Sequence, residues 1–199
     1  EDIEPLHVVI PDQFFDRTRG RVATFFGKGV VAHVAFAEPL CPDLRSVLVT
    51  AAESAGCTHH NGGSYVCIEG PQFSTLVESN LYRSWGMDII GMTNLTEAKL
   101  AREAGICYAT LALVTDYDCW HPAHKSVTTE MIIANLMQNV SVAQNIVSSA
   151  VTTFPEGRDC GCRTALRNAV LTSPDDIPTT ARDRLALLLD PILSSSGEE

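Results

Sequence analysis

A run of nine mostly apolar residues, Ile106-Cys107-Tyr108-Ala109-Thr110-Leu111-Ala112-Leu113-Val114, ends abruptly in Thr115-Asp116-Tyr117-Asp118-Cys119-Trp120-His121. Aliphatic and aromatic residues over that length, preceded by Gly105, predict a buried strand of an α/β sheet. Asp116 and Asp118 then stand at the carboxyl end of a strand, where such sheets bind ligands. Residues two apart on an extended chain point the same way, so two carboxylates face one space. Paired aspartates after a strand also serve as turn formers or helix caps. The pair alone does not specify a site.

The chain has 199 residues, enough for one domain with a real core. No run approaches the about 20 apolar residues of a membrane span. Residues 1–12 lack the basic-then-apolar pattern of a secretion signal. The formal net charge is −10, with lysines and arginines scattered, which argues against nucleic acid as a partner. Seven cysteines are dispersed except for Cys160-Gly161-Cys162. Cys41, Cys57, Cys67, Cys107 and Cys119 read as free thiols of a reducing, cytoplasmic compartment. The C-x-C pair leaves three readings open: a strained disulfide, half of a metal site, or two unrelated thiols. Metal sites usually need a second pair of ligands, and none follows nearby, so no metal is expected. The chain opens without Met and leads straight into His7-Val8-Val9-Ile10, which predicts a fold already under way at residue 1.

Strands are expected over 7–15, bent or ended near Pro11, and over Val30–Phe36, Ser64–Glu69 and Asp88–Met92. His33 interrupts the second of these. Residues 16–28 and 57–63 read as loops, with His59 and His60 solvated. Helices are expected from Asp43 to about Ala55, closed by Gly56, and from Ser74 as cap to about Trp85, closed by Gly86. Val77, Leu81 and Trp85 share one face of the latter. A third helix spans roughly 95–104, with Asn94 as cap and Glu97 three residues on. Thr93 at its mouth is placed to bind an anion. A long helix over about 129–151, capped by Thr128, would bury Ile132, Leu136, Val140, Ala143 and Val147. Beyond a linker over 155–163, short helical patterns cover 164–171 and 179–190, and 194–199 reads as a frayed tail.

Four stretches taken together resemble the methylthioadenosine phosphorylases, within the trimeric purine nucleoside phosphorylase family. They are Val9-Ile10-Pro11-Asp12-Gln13-Phe14-Phe15-Asp16-Arg17-Thr18, Ile68-Glu69-Gly70-Pro71-Gln72-Phe73-Ser74, Gly91-Met92-Thr93, and Ala104–Tyr108 leading to Thr115–Trp120. The likeness runs from residue 1 to about 151. The resemblance implies an α/β, three-layer nucleoside-phosphorylase-like fold with a central mixed sheet flanked by helices. It implies a single domain over 1–199, with 155–199 as a bacterial-type C-terminal extension.

The resemblance also implies a reaction: phosphate displaces adenine from 5′-methylthioadenosine, leaving 5-methylthioribose 1-phosphate. Phosphate is a co-substrate, and no cofactor is needed. Asp116 would donate a hydrogen bond to purine N7, and Asp118 would meet the 6-amino group, with Tyr117 between them. Phe73 would stack near the base and Ser74 would contact it. Met92 would underlie the ribose, and Thr93 would touch phosphate. His33 would reach the methylthio pocket of a neighbouring subunit in a homotrimer, a pocket lined by Thr129, Ile132 and Ile133. An ionised Asp suits a 6-amino donor, whereas a 6-oxo group needs a donor facing it. Relatives acting on 6-oxopurines carry Asn in this region. Two alternatives stay open: 6-oxopurine or methylthioinosine specificity, and a truncated, non-catalytic ligand-binding or partner subunit. Family members begin with a strand, a Gly-rich phosphate loop and an Arg-His pair, none of which is found here. An N-terminal part of the fold is therefore expected to be missing.

Overall fold

The computed structural model describes residues 1–122 and 129–194. Two bent chain paths run side by side at its centre. Val8–Ile10 (β1) and Gln13–Arg17 (β2) are halves of one path, broken at Pro11-Asp12. His59–Asn61 (β3) and Ser64–Ile68 (β4) are halves of another, broken at Gly62-Gly63. β1 pairs in parallel with β3, and β2 with β4, so the two breaks lie side by side.

The local chemistry explains the break. Pro11 brings no amide hydrogen to a ladder. Gly62 and Gly63 adopt φ of +102° and +111°, backbone that side chains disfavour. The Gly63 amide donates to Asp12 Oδ1 at 3.1 Å, and the Asp12 amide donates to the Gly63 carbonyl at 3.2 Å. The Gly62 amide donates to the Ile10 carbonyl at 2.9 Å. Asp88 accepts from the Ser64 amide at 2.7 Å and holds the far side of the bend.

Each half then joins its own sheet. The first has order β3-β1-β6, where Ala112–Leu113 (β6) runs antiparallel to β1. The second has order β2-β4-β5, where Ile89–Gly91 (β5) is parallel to β4. Helices Pro42–Ser54 (α1), Leu76–Ser84 (α2), Leu95–Glu103 (α3), Thr129–Thr153 (α4) and Thr179–Ser194 (α5) complete the fold. Pro42 starts α1 where a missing amide costs nothing. Thr75 caps α2 by accepting from the Glu78 amide, and the Glu78 carboxylate returns to the Thr75 amide at 2.9 Å. Gly56, Gly86 and Gly105 follow α1, α2 and α3 with positive φ.

Side-chain alternation along β4 builds the layers. Tyr65 and Cys67 pack with Leu95 of α3, while Val66 and Ile68 pack with Tyr82 of α2. Val8 and Ile10 meet Leu48, Ala51 and Ala52 of α1 and Ile146 and Ala150 of α4. The expected mixed sheet flanked by helices is present, divided into two three-stranded sheets. A further cluster joins Phe26 and Val30 to Leu166, Ala169, Ile177, Ala181, Leu185 and Leu189.

Several local expectations are corrected. The expected strand 106–114 pairs only at Ala112–Leu113 and is half-buried, because β1 is its one ladder partner among the described residues. Val30–Phe36 forms no strand; its single bridge, Ala32 to Val170, is to the C-terminal segment. The expected loop 57–63 contains β3, and the expected loop 16–28 begins inside β2. Ser74 does not cap α2; Thr75 does. Val77, Leu81 and Trp85 are exposed, whereas Ser79 and Tyr82 face inward. On α4 the buried positions are Asn139, Ile146 and Ala150, about a sixth of a turn from the expected stripe, with Leu136 and Val147 exposed. Residues 164–171 are not an α-helix; Gly161–Thr164 is a short 3₁₀ turn. The Thr128 cap, most of the 121–127 loop and the 195–199 tail lie outside the described residues. Among the described residues no helix is long and apolar enough to cross a membrane.

The bend should be the backbone's least tolerant point. A methyl at Gly63 would stand 3.0 Å from Asp88 Oδ2 on a φ of +111°. Gly63→Ala should cost about 1–3 kcal/mol, read as a lower urea midpoint. Gly157→Ala, with nothing within 4 Å, is the control and should be near neutral. Equal losses in both would remove the bend as the constraint.

Candidate active site

Three strand exits converge on one cavity of about 940 Å³. The segment after β4 brings Phe73 and Ser74, the residues after β5 are Met92 and Thr93, and the segment after β6 brings Asp116, Tyr117 and Asp118; all seven line it. A cleft at the carboxyl ends of α/β strands is where such folds bind small molecules.

Each exit is held by hydrogen bonds to main-chain carbonyls. On the aspartate segment, α4 supplies the hold. Asn139, buried to 1% exposure, donates Nδ2–H to the Val114 carbonyl at 2.9 Å. Asn135, one turn earlier, donates to the Thr115 carbonyl at 2.8 Å. The Leu6 amide also donates to the Val114 carbonyl, and the Val114 amide donates to His7 O. The Thr115 hydroxyl donates to Asp116 Oδ2 at 2.7 Å, and the Cys119 amide donates to Asp118 Oδ1 at 2.8 Å. Both carboxylates are half-buried. Tyr117 stacks on His121 with ring centroids 4.2 Å apart and meets Trp120 edge-on at 6.0 Å. The Arg83 guanidinium lies 3.6 Å over the Trp120 ring, a cation–π contact that closes that wall.

Arg21 holds the other two exits. Its guanidinium donates to the carbonyls of Met92 (2.7 Å), Glu69 (2.8 Å) and Ile68 (3.3 Å), and pairs with the Glu69 carboxylate at 3.1 Å. The Arg19 amide donates to the same carboxylate at 2.6 Å. The Arg19 amide first, and then Arg21, hold the Glu69 carboxyl below its ordinary range. The stabilisation is present at neutral pH and is lost as pH falls through the folded pKa. Met92 is boxed in from below, since a methyl on Gly70 would meet its sulfur at 2.7 Å.

Ser74 Oγ is buried in the cavity wall and has no hydrogen-bond partner among the described residues. Buried hydroxyls are normally paired, so this one is open to a ligand. Phe73 is 79% exposed, with its ring free to lie against a planar group.

Three expected site residues, His33, Ile132 and Ile133, are not among those lining this cavity. His33 is exposed, and its amide donates to the Ala169 carbonyl. Ile132 is half-buried and Ile133 is exposed, both near the start of α4. Thr129 begins α4, and its side chain lies outside the described residues. His60, expected to be solvated, lines the cavity half-buried. Burial, followed by the His7 and His59 imidazoles, pushes its pKa down, and its Nε2 lies 3.0 Å from His7 Nδ1.

The sequence reading missed the holding residues: Asn135, Asn139 and Arg21. Two asparagines four apart on one face of α4 were a visible signal, since mid-helix carboxamides facing a core need carbonyl partners.

The model of the phosphorylase superfamily matches residues 1–152. The chain belongs to that superfamily. An S-methyl-5′-thioadenosine phosphorylase of Koribacter versatilis is 54% identical over 189 residues, 95% of this chain and 65% of that protein. This superfamily member therefore spans just under two thirds of that relative's length. Among solved structures, a methylthioadenosine phosphorylase from an antarctic soil metagenomic library superposes with a TM-score of 0.88 at 50% identity, covering 93% of this chain and 66% of that one. An adenosine/methylthioadenosine phosphorylase variant of Schistosoma mansoni in complex with methylthioadenosine gives 0.73 at 31%, covering 96% and 66%.

Arg21→Ala should loosen both exits at once, at a cost of about 1–3 kcal/mol for the carbonyls left without a donor. Arg21→Lys should recover only part, because an ammonium cannot span the fork. Urea unfolding compares them; full recovery by lysine would mean that charge, not geometry, holds the exits.

Proposed function

We propose that the protein of which this chain is part catalyses phosphorolysis of 5′-methylthioadenosine. The observation that carries this reading is the meeting of Phe73, Ser74, Met92, Thr93, Asp116, Tyr117 and Asp118 on one cavity. A phosphate oxygen bonds to ribose C1′ while the C1′–N9 bond breaks. The electron pair of that bond passes into the purine, and the Asp116 carboxyl, hydrogen-bonded to N7, passes its proton there, so that adenine leaves neutral. Asp118 accepts from the 6-amino group, Phe73 lies against the base, and the open Ser74 hydroxyl meets it. Met92 underlies the ribose and Thr93 contributes to phosphate binding. The relatives' names and the methylthioadenosine complex support this substrate. Adenine and 5-methylthioribose 1-phosphate are the products, and no cofactor takes part.

The same reading places His33, exposed and away from this chain's cavity, at the methylthio pocket of a neighbouring subunit in a homotrimer. Thr129, Ile132 and Ile133 line that pocket. The thiol-rich composition fits a cytoplasmic enzyme of purine and methionine salvage.

Adenine release from methylthioadenosine, followed with and without phosphate, tests the reaction. Release independent of phosphate would overturn phosphorolysis. Asp116→Asn should keep the fold and lower kcat roughly a hundred- to a thousand-fold; wild-type rates would remove Asp116 from the chemistry. Asp118→Asn, able to donate to a 6-oxo group, should raise cleavage of methylthioinosine relative to methylthioadenosine. An unchanged ratio would take base selection away from Asp118.

A further inference from the structure

Outside the cavity lining, four cysteines meet. The Sγ atoms of Cys41, Cys107, Cys160 and Cys162 all lie within 4.8 Å of one another. Cys107 and Cys160, 53 residues apart in sequence, have sulfurs 3.4 Å apart, and all four are free thiols. Four sulfurs about 2.3 Å from a tetrahedral zinc ion stand roughly 3.8 Å from each other. The cluster thus has the size of that polyhedron. None of the four lines the cavity.

The backbone around the cluster is tied on every side. Cys41 precedes α1, and its amide donates to the Tyr108 carbonyl at 2.8 Å, which joins it to the segment of Cys107. Asp43, in the first turn of α1, accepts from the amides of Asp159 and Cys160 at 3.1 Å each. Cys160 is extended, with φ −68° and ψ 147°, at the start of the 3₁₀ turn that carries Cys162. The Arg158 guanidinium donates to the Cys107 sulfur at 3.2 Å. Such an outer hydrogen bond to a sulfur is what a thiolate ligand uses to shed charge. Cys41 and Cys162 are 1% and 4% exposed and form the inner side of the cluster, with Cys107 and Cys160 half-buried at its rim.

We propose that Cys41, Cys107, Cys160 and Cys162 bind one zinc ion as a closed, four-thiolate structural site that fastens the C-terminal segment to the phosphorylase core. As each Zn–S bond forms, one thiol proton leaves to solvent. Four thiols and Zn²⁺ give a centre of charge −2 and four released protons, with no change of oxidation state. Arg158 offsets part of that charge. All-sulfur donors select a soft or borderline ion, and four protein ligands leave no position for substrate. The site is structural and does not depend on the reaction proposed above.

The test uses the full chain, reduced and purified without oxygen, loaded with zinc or cobalt and then dialysed. Elemental analysis should find about one zinc per chain. The cobalt form should show sulfur-to-cobalt charge-transfer bands and tetrahedral ligand-field bands. Cys162→Ser should abolish both readouts, and Cys160→Ser, at the half-buried rim, is the second variant should the first unfold. Cys57→Ser, outside the cluster, should retain them. A folded, reduced chain that takes up neither metal would overturn the proposal. So would uptake that Cys160→Ser leaves unchanged, or four sulfurs that reject the ion because they close as two disulfides even under reductant.

Discussion

The hydrogen bonds between Asp12 and Gly63 hold two chain paths bent at the same level, and the rest of the molecule follows from that shared bend. Without it, β1-β2 and β3-β4 would be two long parallel strands in one flat sheet. With it, the first halves pack against α1 and α4, while the second halves pack between α2 and α3. The two sheets then diverge, and the space between their strand exits becomes the cavity. Gly62, Gly63 and Asp88 line it, so the feature that bends the sheet also forms part of the cavity wall.

Positioning within the cavity is done mostly by donors aimed at carbonyls. Asn135 and Asn139 reach down from α4 to Thr115 and Val114, and Arg21 reaches across to Ile68, Glu69 and Met92. Carbonyls at and past the end of a strand have few ladder partners left, so a side chain that donates to them helps decide where the next residues go. The next residues here are Asp116, Thr93 and the turn leading to Phe73. Side chains on neighbouring elements thereby set the reach of residues that themselves sit on loops.

Much of this was legible in the chain. The helices α1, α2 and α3 announced themselves through their closing glycines, α3 also through Asn94 and Glu97, and β4 and β5 through short aliphatic runs. The expectation that Phe73, Ser74, Met92, Thr93 and the aspartates share a site came from the family resemblance, and their places after predicted strands fitted it. What was not legible depended on partners distant in sequence. His59-His60-Asn61 is a strand only because β1 lies beside it, and nothing in those polar residues says so. Val31 to Phe36 alternates in exposure as a strand would, yet its neighbour is a C-terminal loop. The α4 sequence is apolar on nearly every side, so its periodicity left the rotation undecided; the carboxamide of Asn139 settled it by facing inward. The four-thiol cluster was invisible for the same reason, since Cys41 and Cys107 lie far in sequence from Cys160-Gly161-Cys162.

The cluster formed by Phe26, Val30 and the residues around Leu166 and Leu185 has a consequence for how the protein is made. The Val31 amide donates to Thr172 Oγ1, across 141 residues. A ribosome adding about 5–20 residues per second takes on the order of ten seconds to cover that distance. Throughout that interval the segment carrying Phe26 and Val30 has emerged with its neighbours still unsynthesised. The sheets and α1 to α3 can assemble meanwhile from contacts closer in sequence, which cost less loop entropy to close. The region between Phe26 and Val34 therefore docks last, and its exposure time is set by translation rather than by its own stability.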